Sequence, residues 1–195
     1  SIYLLPEITL TTQITERLKK AFGAQIGIYH SRFSDPERVE IWNKQLSDNP
    51  YLVILGARSS VFLLYQNLGL VIVDEEHDSS YKQQDPAPRY HARNTALMMA
   101  SLYGAKTLLG TATPSAESWY NATDAGKYGL VVLKERYQDI QLPEIIPVDI
   151  KELHRKKMMH GHISPFLKEK MEEAWNRKEQ IILFQNRRGF APMIE

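Results

Sequence analysis

The 195 residues are 43% hydrophobic and 24% charged, ordinary proportions for a globular chain with a sizeable core. A net charge of +1 argues neither for nor against a nucleic-acid partner, so any cationic surface has to be local. With no cysteine there is no disulfide frame, thiol nucleophile or cysteine-ligated zinc within these residues, and no apolar run reaches membrane-spanning length; the expectation is a cytoplasmic protein.

Ser1-Ile2-Tyr3-Leu4-Leu5 reads as a strand already under way, which Pro6-Glu7 ends, and the chain closes without a terminator. The expectation is a piece excised from a longer protein. Leu10, Ile14, Leu18 and Phe22 recur every fourth residue, the stripe of an amphipathic helix, with Gly23 as its stop. Residues 25–29 make a second short strand. Ser34 and Glu37, at capping-box spacing, start a helix whose apolar face is Val39, Trp42 and Leu46 and which Asn49-Pro50 breaks. Residues 51–55 are a third strand, running into Gly56-Ala57-Arg58-Ser59-Ser60.

The β-branched run Leu70-Val71-Ile72-Val73 has the pattern of a strand buried on both faces of a parallel sheet. Residues 78–91 are a polar loop and residues 92–103 a helix rich in Ala, Leu and Met. Residues 106–109 are a strand ending in Gly110-Thr111-Ala112-Thr113-Pro114. Thr113 as N-cap and Pro114 at the first helical position would start the next helix. Another strand is expected at 130–133. This alternation implies right-handed βαβ units on a parallel sheet, an α/β fold. From 134 to 147 the pattern dissolves into charges and prolines, which divides the chain into 1–134 and 135–195. The second part holds an expected strand near 145–150, a basic stretch over 151–162, a helix from Ser164-Pro165 with Ile163, Leu167, Met171 and Trp175 on one face, and a strand over 180–184. His154, His160 and His162 lack the spacing of a metal site and read as part of a mobile basic loop.

Parallel strands deliver their last residues to one edge, where open α/β sheets bind ligands. Asp74-Glu75-Glu76-His77 follows the fourth strand, in the form of a DExH box. An aspartate there can hold hydrated Mg²⁺ beside a nucleotide phosphate, and the adjoining glutamate can deprotonate a water. His77 can bond a neighbouring loop. The plainer alternative is a solvated acidic turn. Thr111 and Thr113 offer hydroxyls to the acidic box, or are simply turn and cap residues. Arg58, in a small-residue loop, can approach phosphate or be an ordinary surface arginine. Tyr81, Lys82, Arg89 and Tyr90 give the 78–91 loop the composition of a single-strand stacking platform; otherwise it is a solvated loop with one or two anchoring tyrosines.

Six stretches together carry a resemblance. They are Tyr3-Leu4-Leu5-Pro6-Glu7-Ile8, Gly56-Ala57-Arg58-Ser59-Ser60-Val61-Phe62, Asp74-Glu75-Glu76-His77-Asp78-Ser79-Ser80-Tyr81-Lys82-Gln83, Arg89-Tyr90-His91-Ala92-Arg93, Leu109-Gly110-Thr111-Ala112-Thr113-Pro114-Ser115 and Asn186-Arg187-Arg188-Gly189-Phe190-Ala191-Pro192. In this order they resemble the PriA family, the bacterial primosomal protein N′ group of superfamily 2 helicases, over nearly the whole chain. The resemblance implies a RecA-like helicase lobe over 1–134 and a linker with the start of a second lobe over 135–195. It implies an ATP-driven DNA helicase moving 3′ to 5′ in replication restart and primosome assembly at stalled forks. Its partners would be fork and single-stranded DNA, primosome proteins and single-strand-binding proteins.

Three departures accompany it. No Gly-x-x-x-x-Gly-Lys-Thr/Ser loop occurs in these residues, the family's cysteine zinc module falls outside them, and Asp85-Pro86-Ala87-Pro88 stands where the family has Gly and an aromatic. Arg187 and Arg188 are given no arginine-finger role. The expected site is then Asp74 (Mg²⁺ with ATP), Glu75 as base, and His77, Thr111 and Thr113 coupling nucleotide state to DNA, with Arg58, Tyr81, Lys82, Arg89 and Tyr90 facing DNA. The fragment alone is expected to be inactive. The alternatives are another superfamily 2 translocase, such as a restriction-enzyme motor subunit, or a metal-dependent hydrolase using Asp74, Glu76, His77 and Asp78 directly.

Overall fold

The computed structural model describes residues 1–6, 12–30, 33–159 and 161–184. Contacts divide the chain into two units, Ser1–Val132 and Leu133–Glu195. The first unit is built on five parallel strands, β1 (Ile2–Leu4), β2 (Ile26–Tyr29), β3 (Val53–Gly56), β4 (Leu70–Val73) and β5 (Lys106–Leu109), in the order β2-β3-β1-β4-β5. Helices α1 (Thr12–Phe22), α2 (Asp35–Leu46), α3 (Ala92–Tyr103) and α4 (Ala116–Ala122) follow β1, β2, β4 and β5, and a 3₁₀ turn over Arg58–Phe62 lies between β3 and β4, the α/β arrangement of a RecA-like lobe.

Strand side chains alternate between two apolar layers. Ile2, Leu4, Ile54, Val71 and Val73 join Ile41 of α2 and Ala92, Ala96 and Ala100 of α3 on one face. Leu5, Ile26, Val53 and Leu55 take Ile14 and Leu18 of α1 on the other. Each fully buried Ile, Leu or Val contributes about 1.5–3 kcal/mol. Leu10, the first residue of the predicted stripe, lies outside the described residues. The alanine stripe at every fourth position of α3 brings its backbone close to the sheet, and Gly104, at φ +64°, ends that helix in the left-handed conformation. At the start of α2, Glu37 Oε2 accepts from the Ser34 backbone N–H at 2.8 Å and from its hydroxyl at 2.7 Å.

Three expectations need correction here. β4 is sealed on one face only: Val71 and Val73 are buried, but Ile72 is half-buried and Leu70 exposed. Residues 130–133 are exposed and form no strand, because nothing among the described residues offers them a ladder. The helix after the fifth strand begins at Ser115, not Thr113: the Ser115 hydroxyl accepts from the Ser118 backbone N–H at 3.3 Å, while Thr113 is engaged elsewhere. No helix among the described residues is long and apolar enough to cross a membrane.

In the second unit, residues 145–149 form no strand and lead into α5 (Ile150–Arg155), which Asp149 caps by accepting from the Lys151 and Glu152 backbone N–H groups at 2.9 and 3.1 Å. The expected basic loop therefore begins as a helix; His160 lies outside the described residues. α6 (Pro165–Asn176) starts at Ser164-Pro165 as its capping residues predict. Residues 181–184 are exposed and unpaired by any ladder, against the strand expected there; the Asn186 to Pro192 motif lies outside the described residues.

Candidate functional site

The register of β1 with β4 carries one residue past the strand, the Asp74 N–H donating to the Leu4 carbonyl at 3.0 Å, so Asp74 is the first residue beyond the sheet edge. The chain then turns sharply. Glu75 sits at φ +47°, a left-handed conformation costing about 1–3 kcal/mol in a residue with a side chain, and the Asp78 N–H closes the turn on the Glu75 carbonyl at 2.8 Å. The Asp74 carboxylate is held by neutral donors: Oδ1 accepts from the Glu75 N–H at 3.0 Å and Oδ2 from the Tyr3 hydroxyl at 3.1 Å. Burial, the Asp74 charge and that hydrogen bond push the Tyr3 hydroxyl up to about 12, so it stays a donor throughout the physiological range.

His77 spans the gap to the loop after β5. Its Nδ1 lies 2.7 Å from Thr111 Oγ1 and its Nε2 3.2 Å from Thr113 Oγ1, and the Thr113 N–H donates to Thr111 Oγ1 at 3.0 Å. A hydroxyl both donates and accepts, so this pair satisfies a neutral imidazole in either tautomer. Nδ1 is also 3.6 Å from Glu75 Oε2. The structure thus brings Asp74, Glu75, His77, Thr111 and Thr113 to one edge.

Glu76, the third residue of the box, points the other way and is 1% exposed. Its carboxylate meets Arg93 Nη1 at 2.6 Å, the Ser115 N–H at 2.7 Å, the Ser118 hydroxyl at 2.9 Å and the Ser115 hydroxyl at 3.1 Å. Burial by itself pushes this carboxyl up, but the bonds from the Ser115 backbone, Arg93 and the two serine hydroxyls outweigh it and hold the group below its ordinary value. This corrects the metal-hydrolase alternative: Glu76 is spent on Arg93, and no group of three or more His, Asp or Glu among the described residues is arranged to hold a metal. Asp74 alone fits the other expectation, because Mg²⁺ bound with a nucleotide takes one or two carboxylates plus phosphates and water and needs no protein cage.

The 78–91 segment is more ordered than a polar loop. Asp78 Oδ1 accepts from the Ser80 N–H at 2.7 Å, opening a short 3₁₀ turn over Ser79–Tyr81. Lys82 and His91 then pair as an antiparallel bridge, and the Gln83 N–H reaches the Tyr90 carbonyl at 2.9 Å. Tyr81 is a correction to the set expected to face DNA. It is 1% exposed, its ring lies in the core, and its hydroxyl donates to the Asp74 carbonyl at 2.6 Å while lying 3.1 Å from that of Leu4. Arg58, expected on phosphate, is half-buried and donates through Nη1 to the Lys82 and Ser80 carbonyls at 3.0 and 3.2 Å, so it clamps the root of this segment. The close approach of Gly56 to Ser60, which a Cβ would block, lets the turn bearing Arg58 fold back over the end of β3. Tyr90 is half-buried, its ring edge-on to Phe62 with centroids 4.7 Å apart. Arg89 is exposed, and Lys82 is half-buried with Nζ 3.4 Å from the Arg89 carbonyl.

Sequence reasoning missed Tyr3, Arg93, Ser115 and Ser118. Tyr3 carried a signal, a lone hydroxyl in an apolar strand; the other three are united only by tertiary contact.

The DEAD/DEAH box helicase family matches residues 1–121. The chain is similar to proteins named replication restart protein PriA. It is 40% identical over 197 residues to that of Bacillus subtilis (strain 168), covering 100% of this chain and 24% of that protein. For Rickettsia felis the identity is 42% over 193 residues, with 99% and 29% covered. For Haemophilus influenzae it is 40% over 193 residues, with 99% and 26% covered. The chain therefore spans about a quarter of the length of these curated relatives.

Proposed function

The chain belongs to the DEAD/DEAH box helicase family, and on that premise we propose that it is a segment of an ATP-driven DNA helicase of replication restart, acting in the cytoplasm on forked and single-stranded DNA with 3′-to-5′ polarity. Residues 1–134 serve as part of the first motor lobe and residues 135–195 as the linker and start of the second. Primosome and single-strand-binding proteins are the partners that the resemblance implies, and a zinc module belongs to the full-length protein outside this stretch. The observation that carries the reading is His77, bonded to both Thr111 and Thr113 beside Asp74 and Glu75. An acidic turn with no task has no reason to be tied through both imidazole nitrogens to the next strand-end loop.

When bound, Mg²⁺–ATP supplies the phosphoryl group that is lost to water. Asp74, its carboxylate pre-set by Tyr3 and the Glu75 N–H, would hold that metal. Glu75 takes the proton of the attacking water, in a turn fixed at positive φ. Movement of His77 relative to Thr111 and Thr113 carries the nucleotide state into the lobe. Lys82, Arg89 and Tyr90 meet the DNA, with Arg58 and Tyr81 holding their segment in place. The test is ATP turnover and strand separation by the full-length protein on 3′-tailed and 5′-tailed duplexes. The reading requires DNA-stimulated turnover and unwinding from the 3′ tail; turnover indifferent to DNA would overturn it.

A further inference from the structure

Glu76 holds both ends of one loop. Its backbone N–H donates to the Gly110 carbonyl at 3.1 Å, where the loop after β5 begins, and its carboxylate takes the Ser115 N–H at 2.7 Å, where that loop ends. Thr111 and Thr113, the hydroxyls on His77, lie between these two anchors. The carboxylate itself is fixed from behind. Arg93 Nη1 bonds it at 2.6 Å and bonds the Ser115 hydroxyl at 2.8 Å, while Ser118 closes the cluster at 2.9 Å. The Ser115 hydroxyl is saturated, donating to Glu76 and accepting from Arg93 and the Ser118 N–H. Four donors thus converge on the carboxylate, the Ser115 N–H on Oε1 and Arg93 Nη1 with the two serine hydroxyls on Oε2.

Arg93 is the second residue of α3, two positions beyond His91, and His91 closes the 82–91 ribbon on Lys82. The helix start is fastened to the ribbon as well, since the Thr95 N–H and hydroxyl donate to the His91 carbonyl at 2.9 and 3.1 Å. The ribbon root is thus joined through the start of α3 to the Arg93 guanidinium, which bonds both Ser115 and the carboxylate that takes the Ser115 N–H. Resting on the function proposed above, we propose that Arg93, acting through Glu76, is a positioning residue that links the ribbon bearing Arg89 and Tyr90 to the loop bearing Thr111 and Thr113, and so sets how strongly DNA stimulates ATP turnover. Arg93 touches neither nucleotide nor DNA in this account. Its planar fork is what lets one nitrogen serve Glu76 and Ser115 while Nε donates to Asn94 Oδ1 at 3.1 Å; a lysine at this position keeps the charge and loses the fork.

The experiment measures ATP turnover by the full-length protein with and without single-stranded DNA, for wild type, Arg93→Lys and Ser118→Ala. The ratio of the two rates does not depend on how much of a preparation is folded, so a merely structural role leaves it unmoved. The proposal requires that ratio to fall about tenfold in Arg93→Lys, and by a smaller factor in Ser118→Ala, which removes one donor to Glu76 and spares the ion pair. A ratio equal to wild type in Arg93→Lys overturns the link. Should Arg93→Lys fail to fold, an unchanged ratio in well-folded Ser118→Ala overturns it instead. Wild-type protein that shows no stimulation by DNA overturns the helicase reading itself, a separate outcome from either.

Discussion

The hydroxyl of Tyr81 lies 2.6 Å from the main-chain carbonyl of Asp74, inside the core and directly beneath the acidic box. The first aromatic of the segment expected to stack on DNA is thus a fastener for the residue expected to hold Mg²⁺. Burial, with the Asp74 charge next, pushes this phenol well above its ordinary value, so it remains a donor at any physiological pH.

Tyr81→Phe keeps the ring and leaves a buried carbonyl without its donor. It should destabilise the first unit by about 1–3 kcal/mol, read as a lowered unfolding midpoint, with DNA affinity per folded molecule retained. A loss of DNA affinity with the midpoint unchanged would return Tyr81 to the DNA-facing set.

Arg89 and Tyr90 separate into charge and stacking. Arg89→Ala should reduce the slope of log affinity for single-stranded DNA against log salt by about 0.7, the loss of one phosphate contact. Tyr90→Ala should cost about 1–3 kcal/mol of DNA binding if a base stacks on that ring, without changing the slope. Because Tyr90 also packs on Phe62, a lowered unfolding midpoint with unaltered affinity would assign it to anchoring alone.

The acid limb of stability should bear the mark of Glu76. Its carboxyl titrates lower in the folded protein than in the unfolded chain, so the stability it adds is complete above the ordinary glutamate value of about 4.3 and is lost as pH falls through the lower folded value. Glu76→Gln should therefore be less stable than wild type at pH 7, and the gap in unfolding midpoint should narrow as pH falls below about 4.3. A gap that stays constant over that range would mean the ionised form of Glu76 adds nothing to stability.

The 195-residue chain by itself should release no phosphate from ATP above background, with or without DNA, because these residues include no Gly-x-x-x-x-Gly-Lys loop to cradle the β and γ phosphates. Turnover near that of the full-length protein would show that Asp74 and Glu75 position the triphosphate unaided.

What was legible in the sequence was what local chemistry decides. The β-branched run from Leu70 to Val73 passing into acids, the alanine-rich helix over residues 92–103 and the Ser34 and Glu37 pair all stand where their patterns put them. The apolar runs in 130–133, 145–150 and 180–184 form no strand, because such a run becomes a strand only where a neighbour offers a ladder. Thr113 and Ser115 flank the same proline, and only the capture of Thr113 by His77 leaves the capping position to Ser115. Tyr81 and Arg58 looked like nucleic-acid residues because an aromatic and a cation in a loop have the same composition whether they face solvent or hold the loop down. Glu76 and Arg93 are 17 residues apart, and no periodicity links them.

The central claim, that the Asp74 to His77 turn is the hydrolytic edge of an ATP-driven motor, is tested most directly by Glu75→Gln in the full-length protein. The amide keeps the side chain's shape and cannot take a proton. DNA-stimulated ATP turnover should fall about 10²–10⁴-fold while affinity for Mg²⁺–ATP stays within a few-fold of wild type. Retention of most of the turnover, with the same nucleotide affinity, would contradict the account.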